Sequence, residues 1–116
     1  LGRRFFRAAE RALCDSPLGA RDYLKLAHAY DTLMIDHIPQ FGRTNPSAAK
    51  RFILLIDTLY DRGIKLSASF AVPLEQLAAE SRNAGEFQRT LSRLIEMQSA
   101  AYLGAARKDG RAPPKA

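Results

Sequence analysis

Hydrophobic positions predict a strand–helix–strand unit between Asp31 and Ala71. Short apolar runs at Thr32–Ile35 and Ile64–Phe70 favour β-strands, and Ala48–Arg62 between them repeats its apolar residues with the period of a helix. Two strands joined by a crossover helix form a βαβ unit, in which the strands are parallel and the crossover is almost always right-handed. The middle of the chain therefore predicts an α/β fold.

Weaker patterns flank this unit. Phe5-Phe6 could end a third strand, although the composition of Phe6–Cys14 suits a helix. Amphipathic helices are expected at Ala20–Tyr30 and from Glu86 to about Ala106, with a short helix at Leu74–Ala79. The side chains expected on the buried sides of the two longer helices are Tyr23, Leu24, Leu26, Ala27 and Tyr30 in the first, and Phe87, Leu91, Leu94, Ile95, Ala101 and Tyr102 in the second.

So few strands make a poor independent sheet, and parallel strands usually sit in a larger sheet that is covered on both faces. We therefore expect a partial parallel sheet flanked by helices, the back part of a larger domain. This portion is expected to span 1–106, with a disordered basic tail at 107–116 that holds no large apolar residue. The first residue is Leu1, not methionine, so the chain is expected to begin inside a longer polypeptide.

Composition narrows the class of protein. The chain has 116 residues, 47% of them hydrophobic, and a formal net charge of +6. That charge fits either an ordinary solvated surface or an anionic partner, and no aromatic ladder interleaves with the basic residues, so the sequence gives only weak support to a nucleic-acid partner. No apolar run approaches the roughly 18 residues that a membrane span needs. Cys14 is the only cysteine, which excludes an intrachain disulfide and makes the cytoplasm the default compartment.

Candidate chemistry is sparse. The sequence contains no Walker A pattern and no G-x-G-x-x-G loop, so it has no recognisable phosphate cradle of its own. Asp36 lies near the end of a predicted strand, where ligands bind in open α/β sheets. A carboxylate there can orient a metal, a water molecule or an arginine, or simply cap a turn.

Arg89 and Arg93 are the other candidates. They are four residues apart on a predicted helix and so face the same way, where they repel each other unless an anion or Glu96 lies between them. Such an arginine can contact the γ-phosphate of ATP within its own subunit or in a neighbouring one. A surface ion pair with Glu96 is the plainer alternative.

Four sequence strings, taken together and in order, resemble the ZapE/AFG-type ATPases of the AAA+ P-loop group. The resemblance covers nearly everything from Leu13 to Leu103, and the strings that carry it are LCDSPLGARDYL (Leu13–Leu24), IP (Ile38-Pro39), KRFILLIDTLYD (Lys50–Asp61) and RTLSRLIEMQS (Arg89–Ser99). One departure is Lys50-Arg51, where the family tends to carry two arginines.

The resemblance implies the C-terminal portion of an ATP-hydrolysing protein whose P-loop lies outside this segment. ATP and Mg²⁺ would then be used by the parent protein, and the segment alone should not hydrolyse ATP. Arg93 and Arg89 would be phosphate-sensing or intersubunit arginines, with Arg51 and Asp57 as weaker candidates for coupling. Asp36 remains a structural candidate.

The resemblance also implies partners. These are the rest of its own ATPase domain, further copies of the same protein and, by analogy with bacterial relatives, a division-ring protein. Mitochondrial relatives are associated with protein quality control instead. The alternative hypothesis is a non-enzymatic protein-interaction module that uses its basic face and the side of the helix that carries Leu54.

Overall fold

A three-stranded parallel sheet forms one layer of the protein, with the strands in the order β1, β2, β3. The computed structural model describes residues 4–14, 18–42, 46–79 and 84–104, so the predicted tail at 107–116 lies outside the described residues. The strands are β1 (Phe5–Ala9), β2 (Thr32–Ile38) and β3 (Lys65–Phe70). The helices are α1 (Glu10–Cys14), α2 (Ala20–Ala29), α3 (Pro46–Arg62), α4 (Ala84–Glu96) and α5 (Ala100–Gly104).

The predicted βαβ unit is present as β2–α3–β3, and the α/β fold class is confirmed. Strand β2 lies in the centre, where Thr32 pairs with Phe5 of β1 on one side and with Lys65 of β3 on the other. The third strand, for which the sequence offered only Phe5-Phe6, runs on to Ala9. A second crossover, β1–α1–α2–β2, therefore precedes the predicted one.

Both crossovers cover the same face of the sheet. Each moves one strand further in the same direction, and since such connections are right-handed, their helices pack on one side. On that side Leu33 and Ile35 of β2 are completely buried. On the other side Phe5 is 51% exposed and the Arg7 side chain is 70% exposed. In the part of the chain that the structure describes, this second face, here called the open face, is not covered by a helix.

Helix α3 is the centre of the helical layer, because α1, α2 and α4 all contact it. It begins at Pro46, where the missing N–H of proline costs no helical hydrogen bond. It ends before Gly63, whose φ of 71° is the left-handed conformation of a helix stop. Contacts on several sides explain why Leu54, which interrupts the polar side of the pattern, is half-buried and packs against the core.

The prediction of a helix over Phe6–Cys14 was wrong for its first part, where the chain forms β1. The backbone of Asp31 donates to the carbonyl oxygen of Arg4 at 2.8 Å, and the Asp31 carboxylate accepts from the Arg4 N–H at 3.0 Å. These bonds fix the start of β1 beside β2. Alanine and arginine are strong helix formers, but such preferences differ by less than about 1 kcal/mol per residue, and pairing along the whole strand outweighs them.

The long C-terminal helix was also predicted incorrectly, because it is divided in two. Helix α4 ends at Glu96, and α5 begins at Ala100. Between them the hydroxyl of Ser99 accepts from the backbone N–H of Tyr102 at 3.1 Å, as an N-cap serine does at the start of a helix. Ser99 was therefore the available signal for the break.

Further differences concern burial and the segment after β3. Ile95 is 61% exposed, Leu24 is 40% exposed and Ala101 is exposed, although the pattern placed all three on buried sides. Each helix at the edge of the layer is covered along a narrower stripe than a fully packed helix would be.

The short helix predicted at Leu74–Ala79 is a single 3₁₀ turn at Leu74–Gln76. Within the described ranges, no helix is both long and apolar enough to cross a membrane.

Candidate functional site

Helices α3 and α4 bring three of the predicted residues together in what we call the arginine cluster: Asp57, Arg89 and Arg93. The Arg93 guanidinium donates a hydrogen bond from Nη1 to Asp57 Oδ1, in a close ion pair. Arg89 Nη2 lies 3.8 Å from the other carboxylate oxygen, Oδ2. One carboxylate of α3 thus serves both arginines of α4.

The two arginines differ in exposure. The side chains of Arg93 and Asp57 are each 22% exposed, whereas that of Arg89 is 70% exposed. Two guanidinium groups against one carboxylate leave a positive charge of one unit. Guanidinium groups bind phosphate and carboxylate oxygens through two parallel N–H bonds, so the cluster can accept a further anion at its exposed end, beside Arg89.

The sequence pattern suggested that an anion or Glu96 would separate the two arginines. The anion is Asp57 of the neighbouring helix, and Glu96 has another role. Its Oε2 accepts a hydrogen bond from the Tyr60 hydroxyl at 2.7 Å. That bond raises the pKa of the Tyr60 phenol above its usual value, since the phenolate would lose it and lie next to a carboxylate.

Tyr60 is a site residue that the sequence argument missed. The Arg93 guanidinium carbon lies 4.9 Å from the centre of its ring, which is cation–π geometry. The helical pattern placed Tyr60 among apolar core positions. That interpretation predicted no contact for its hydroxyl or for the face of its ring. The available signal was spacing, because Asp57 and Tyr60 are three residues apart and so share one side of α3.

Asp36 lies elsewhere, at the carboxyl end of the central strand and on the open face. Arg7 of β1 donates from Nε to Asp36 Oδ2 at 2.7 Å. Of the roles that the sequence left open for this carboxylate, the contact corresponds to orienting an arginine. The next residue, His37, has a φ of 61°, and its backbone N–H donates to the Ser69 hydroxyl at 2.9 Å. These features accompany a β-bulge between Ile35 and Ile38.

Arg51 makes a structural contact. Its Nη1 donates to the carbonyl oxygen of Cys14 at 3.0 Å, which ties α3 to the C-terminal end of α1. Cys14 is completely buried, as is usual for a free cysteine that packs as a small hydrophobic residue. Arg51 thus binds the body of the protein and not the carboxylate that Arg89 and Arg93 share.

The chemistry of these residues suits phosphate better than a metal ion. Arginine forks supply hydrogen-bond donors for phosphate oxygens, whereas Mg²⁺ requires several oxygen ligands close together. Among residues 4–14, 18–42, 46–79 and 84–104, no three or more His, Cys, Asp or Glu side chains are grouped so that they could hold a metal ion.

Comparison with known proteins places the chain among ATPases. The model of the family described as AFG1-like ATPase matches residues 2–106. The cell division protein ZapE of Escherichia coli strain K12 is 43% identical over 91 residues, which are 78% of this chain and 24% of ZapE. Lactation elevated protein 1 homolog B of Danio rerio is 31% identical over 122 residues, again 78% of this chain and 24% of the relative. No solved structure matches the chain.

These matches confirm the resemblance that the four sequence strings suggested. The chain spans about a quarter of the length of the curated relatives it matches. An α/β fold with a parallel sheet agrees with a portion of a P-loop ATPase domain. The alternative of a non-enzymatic interaction module receives no support from the matches.

Proposed function

Because this chain belongs to the AFG1-like ATPase family, we propose that it is the C-terminal portion of a ZapE-like ATP-hydrolysing protein. In this proposal the P-loop, which the sequence does not contain, lies in another part of the same polypeptide. The segment contributes arginines to the hydrolysis site and does not hydrolyse ATP alone.

The arginine cluster is the observation that carries the proposal. Phosphoryl transfer develops charge on the oxygens of the γ-phosphate, and a positioned guanidinium stabilises that charge. Arg89 is exposed and Arg93 is held by Asp57, so the cluster presents one accessible guanidinium and retains a net positive charge. An arginine so placed can reach a phosphate bound by another part of the domain or by a neighbouring copy, which is why we also propose a homo-oligomer.

The cofactors are ATP and Mg²⁺, divided between parts of the parent protein. The guanidinium groups of the arginine cluster fit the triphosphate, because they offer donors to its terminal oxygens. We assign Mg²⁺ to parts of the parent protein other than this segment, and bound Mg²⁺ would supply charge neutralisation at the phosphates. The role of the present residues is to bind and orient the terminal phosphate. Arg51 and Asp36 support the fold in this scheme, and Asp57 couples α3 to the two arginines.

The rest of the ATPase domain is the partner we propose for the open face. Parallel sheets are normally covered on both faces, and the open face of this one presents Phe5 and Arg7 to solvent. The relatives' greater length leaves ample chain to cover it.

The cytoplasm is the compartment we propose. A role in cell division, taken from the name of the E. coli relative, extends the proposal, as does contact with a division-ring protein, which the resemblance implies.

The first test is to sequence the coding DNA upstream of Leu1. We expect an in-frame G-x-x-x-x-G-K-[ST] between a predicted strand and a predicted helix. A start codon immediately before Leu1 would leave a stand-alone domain without phosphate-binding machinery. That result would refute the proposal and favour the interaction module.

The second test is hydrolysis by the complete protein. Arg89→Ala should lower the rate of ATP hydrolysis by on the order of 10³-fold, as for an arginine that contacts the γ-phosphate, and Arg93→Ala should lower it by a smaller factor, because Arg93 is held on Asp57. Nucleotide binding should change little, because the P-loop supplies it. Arg21→Ala, a matched change of an exposed arginine on α2, is the control. Unchanged turnover in the Arg89 and Arg93 variants would remove both residues from the site.

A further inference from the structure

A ladder of four side chains begins at Arg93 and crosses from α4 to β3. The Arg93 guanidinium lies over the Tyr60 ring, and that ring stacks on the Tyr102 ring with centroids 6.0 Å apart and an interplanar angle of 11°. Lys65 Nζ in turn lies 4.9 Å from the centre of the Tyr102 ring. The order is therefore cation, aromatic ring, aromatic ring, cation.

Each ring of this ladder is fixed by hydrogen bonds as well. The Tyr60 hydroxyl donates to Glu96 Oε2 at 2.7 Å. The buried Tyr102 hydroxyl donates to the carbonyl oxygen of Ile64 at 2.7 Å, and Lys65 Nζ donates to the carbonyl oxygen of Tyr102 at 2.8 Å. Tyr60 thus has little freedom to turn, since one edge is tied to α4 and one face rests on Tyr102 of α5.

A fixed ring constrains the arginine that lies on it. Arginine has a long flexible side chain, and its planar guanidinium group can stack on an aromatic face while it also binds a carboxylate in its own plane. Arg93 has both contacts, with Tyr60 over one face and Asp57 accepting from its N–H. Arg89 also reaches Asp57, but its side chain is 70% exposed.

We propose that Tyr60 is a positioning residue: it holds Arg93 on Asp57 and thereby leaves Arg89 as the arginine that meets the phosphate. This proposal rests on the proposed function for the identity of the anion, although the positioning itself does not. The proposal gives different roles to two arginines that the sequence alone does not distinguish. Arg93 takes the hydrogen bond of Asp57 Oδ1, so that Arg89, 3.8 Å from Oδ2, is held less tightly and can turn towards the anion.

The test compares Tyr60→Leu with Tyr60→Phe in the complete protein. The leucine variant removes the ring, whereas the phenylalanine variant keeps the ring and removes only the bond to Glu96. Tyr30→Leu is the matched control, because Tyr30 is also half-buried and packs on an aromatic ring, that of Phe6, at 5.1 Å. Two readouts are needed: the ¹⁵N–¹H signals of the arginine Nη groups, recorded at low temperature, and the rate of ATP hydrolysis.

We expect the Arg93 Nη–H groups of the unaltered protein, one of which donates to Asp57, to exchange with water about tenfold more slowly than those of Arg89. Tyr60→Leu should remove this protection, Tyr60→Phe should retain most of it, and Tyr30→Leu should not change it. Hydrolysis should fall about tenfold in Tyr60→Leu, and by two- to threefold in Tyr60→Phe. Because Tyr60 acts through Arg93, Tyr60→Leu should cause no further loss when Arg93→Ala is already present.

The outcomes separate this proposal from the proposed function. If Arg93 keeps its protection in Tyr60→Leu, Tyr60 does not position it and the inference is wrong, whatever hydrolysis shows. If protection is lost but Tyr60→Leu also lowers hydrolysis in the Arg93→Ala background, Tyr60 acts by another route, and the inference again fails. If protection is lost while neither Arg89→Ala nor Arg93→Ala affects turnover, the positioning stands and the proposed phosphate-sensing role is refuted.

Discussion

Replacing Asp57 by asparagine should destabilise the protein clearly more than the same replacement at Asp36. Both carboxylates accept a hydrogen bond from an arginine of a neighbouring element. The chemistry of the two changes is identical, and so is the kind of partner. The two pairs differ in burial, because the Asp57 and Arg93 side chains are each 22% exposed, whereas Arg7 is 70% exposed.

The magnitude follows from that difference. A hydrogen bond to a charged group contributes about 1.5–3 kcal/mol, and the partial exposure of Asp57 places its value near the lower end, at about 1.5–2 kcal/mol. Asp57→Asn also leaves the half-buried Arg93 without its counter-charge and beside Arg89, which acts in the same direction. The Asp36–Arg7 pair is open to water and salt, so its loss should have a small effect.

Equilibrium unfolding in urea and thermal melting measure the two effects. For a domain of about 100 residues, each kcal/mol lowers the melting temperature by roughly 4–8 °C, so Asp57→Asn should lower it by roughly 6–16 °C. High salt should reduce the effect of Asp36→Asn proportionally more than that of Asp57→Asn. Equal losses in the two variants would refute the argument from burial.

Three further predictions concern individual residues outside the arginine cluster. The buried hydroxyl of Tyr23 donates to the carbonyl oxygen of Leu13 at 2.7 Å, so Tyr23→Phe should cost about 1–2 kcal/mol in urea unfolding at neutral pH. Burial raises the pKa of Tyr23 and of Tyr102 above the usual value. The stability that each neutral phenol contributes is therefore fully present below about pH 10, and it decreases as the pH rises towards the folded-state pKa. Stability should then fall by about 1.4 kcal/mol per pH unit for each tyrosine, and a Tyr23→Phe variant with the unaltered slope would contradict this. His37 has a φ of 61°, so His37→Gly should match or exceed the thermal stability of the unaltered protein, whereas His37→Val should lower it by about 1–2 kcal/mol; equal melting temperatures would show that the left-handed backbone is not strained.

Much of the fold could be predicted from local patterns in the sequence. The period of α3, its start at Pro46 and its stop at Gly63 are all local signals, and the structure agrees with them. Strand β1 could not be recognised in this way, because Ala8 and Ala9 favour a helix until β2 lies beside them. The end of α4 was missed for a related reason, since apolar spacing continues across Ser99 and only the cap marks the break.

The candidate site shows the same division between local and distant information. That Arg89 and Arg93 face the same way follows from four-residue spacing on one helix. That Asp57 is their shared anion could not follow from spacing, because the contact joins α3 and α4 across 36 positions of the chain. The hydrophobic pattern did not reveal Tyr60 as a site residue. An aromatic residue at a core position has a ring face, and only the packed structure shows which group contacts that face.

Asp57 connects the stability of this protein to its proposed chemistry. The carboxylate lowers the repulsion between two arginines that lie four residues apart, which favours α4 in its observed place against α3. It also reduces the charge that those arginines can offer to an incoming phosphate. A cluster with no carboxylate would attract phosphate more strongly but would hold neither guanidinium in place, and one with a second carboxylate would be neutral. One carboxylate for two arginines, with Arg93 fixed and Arg89 exposed, is the arrangement that provides both order and a remaining positive charge.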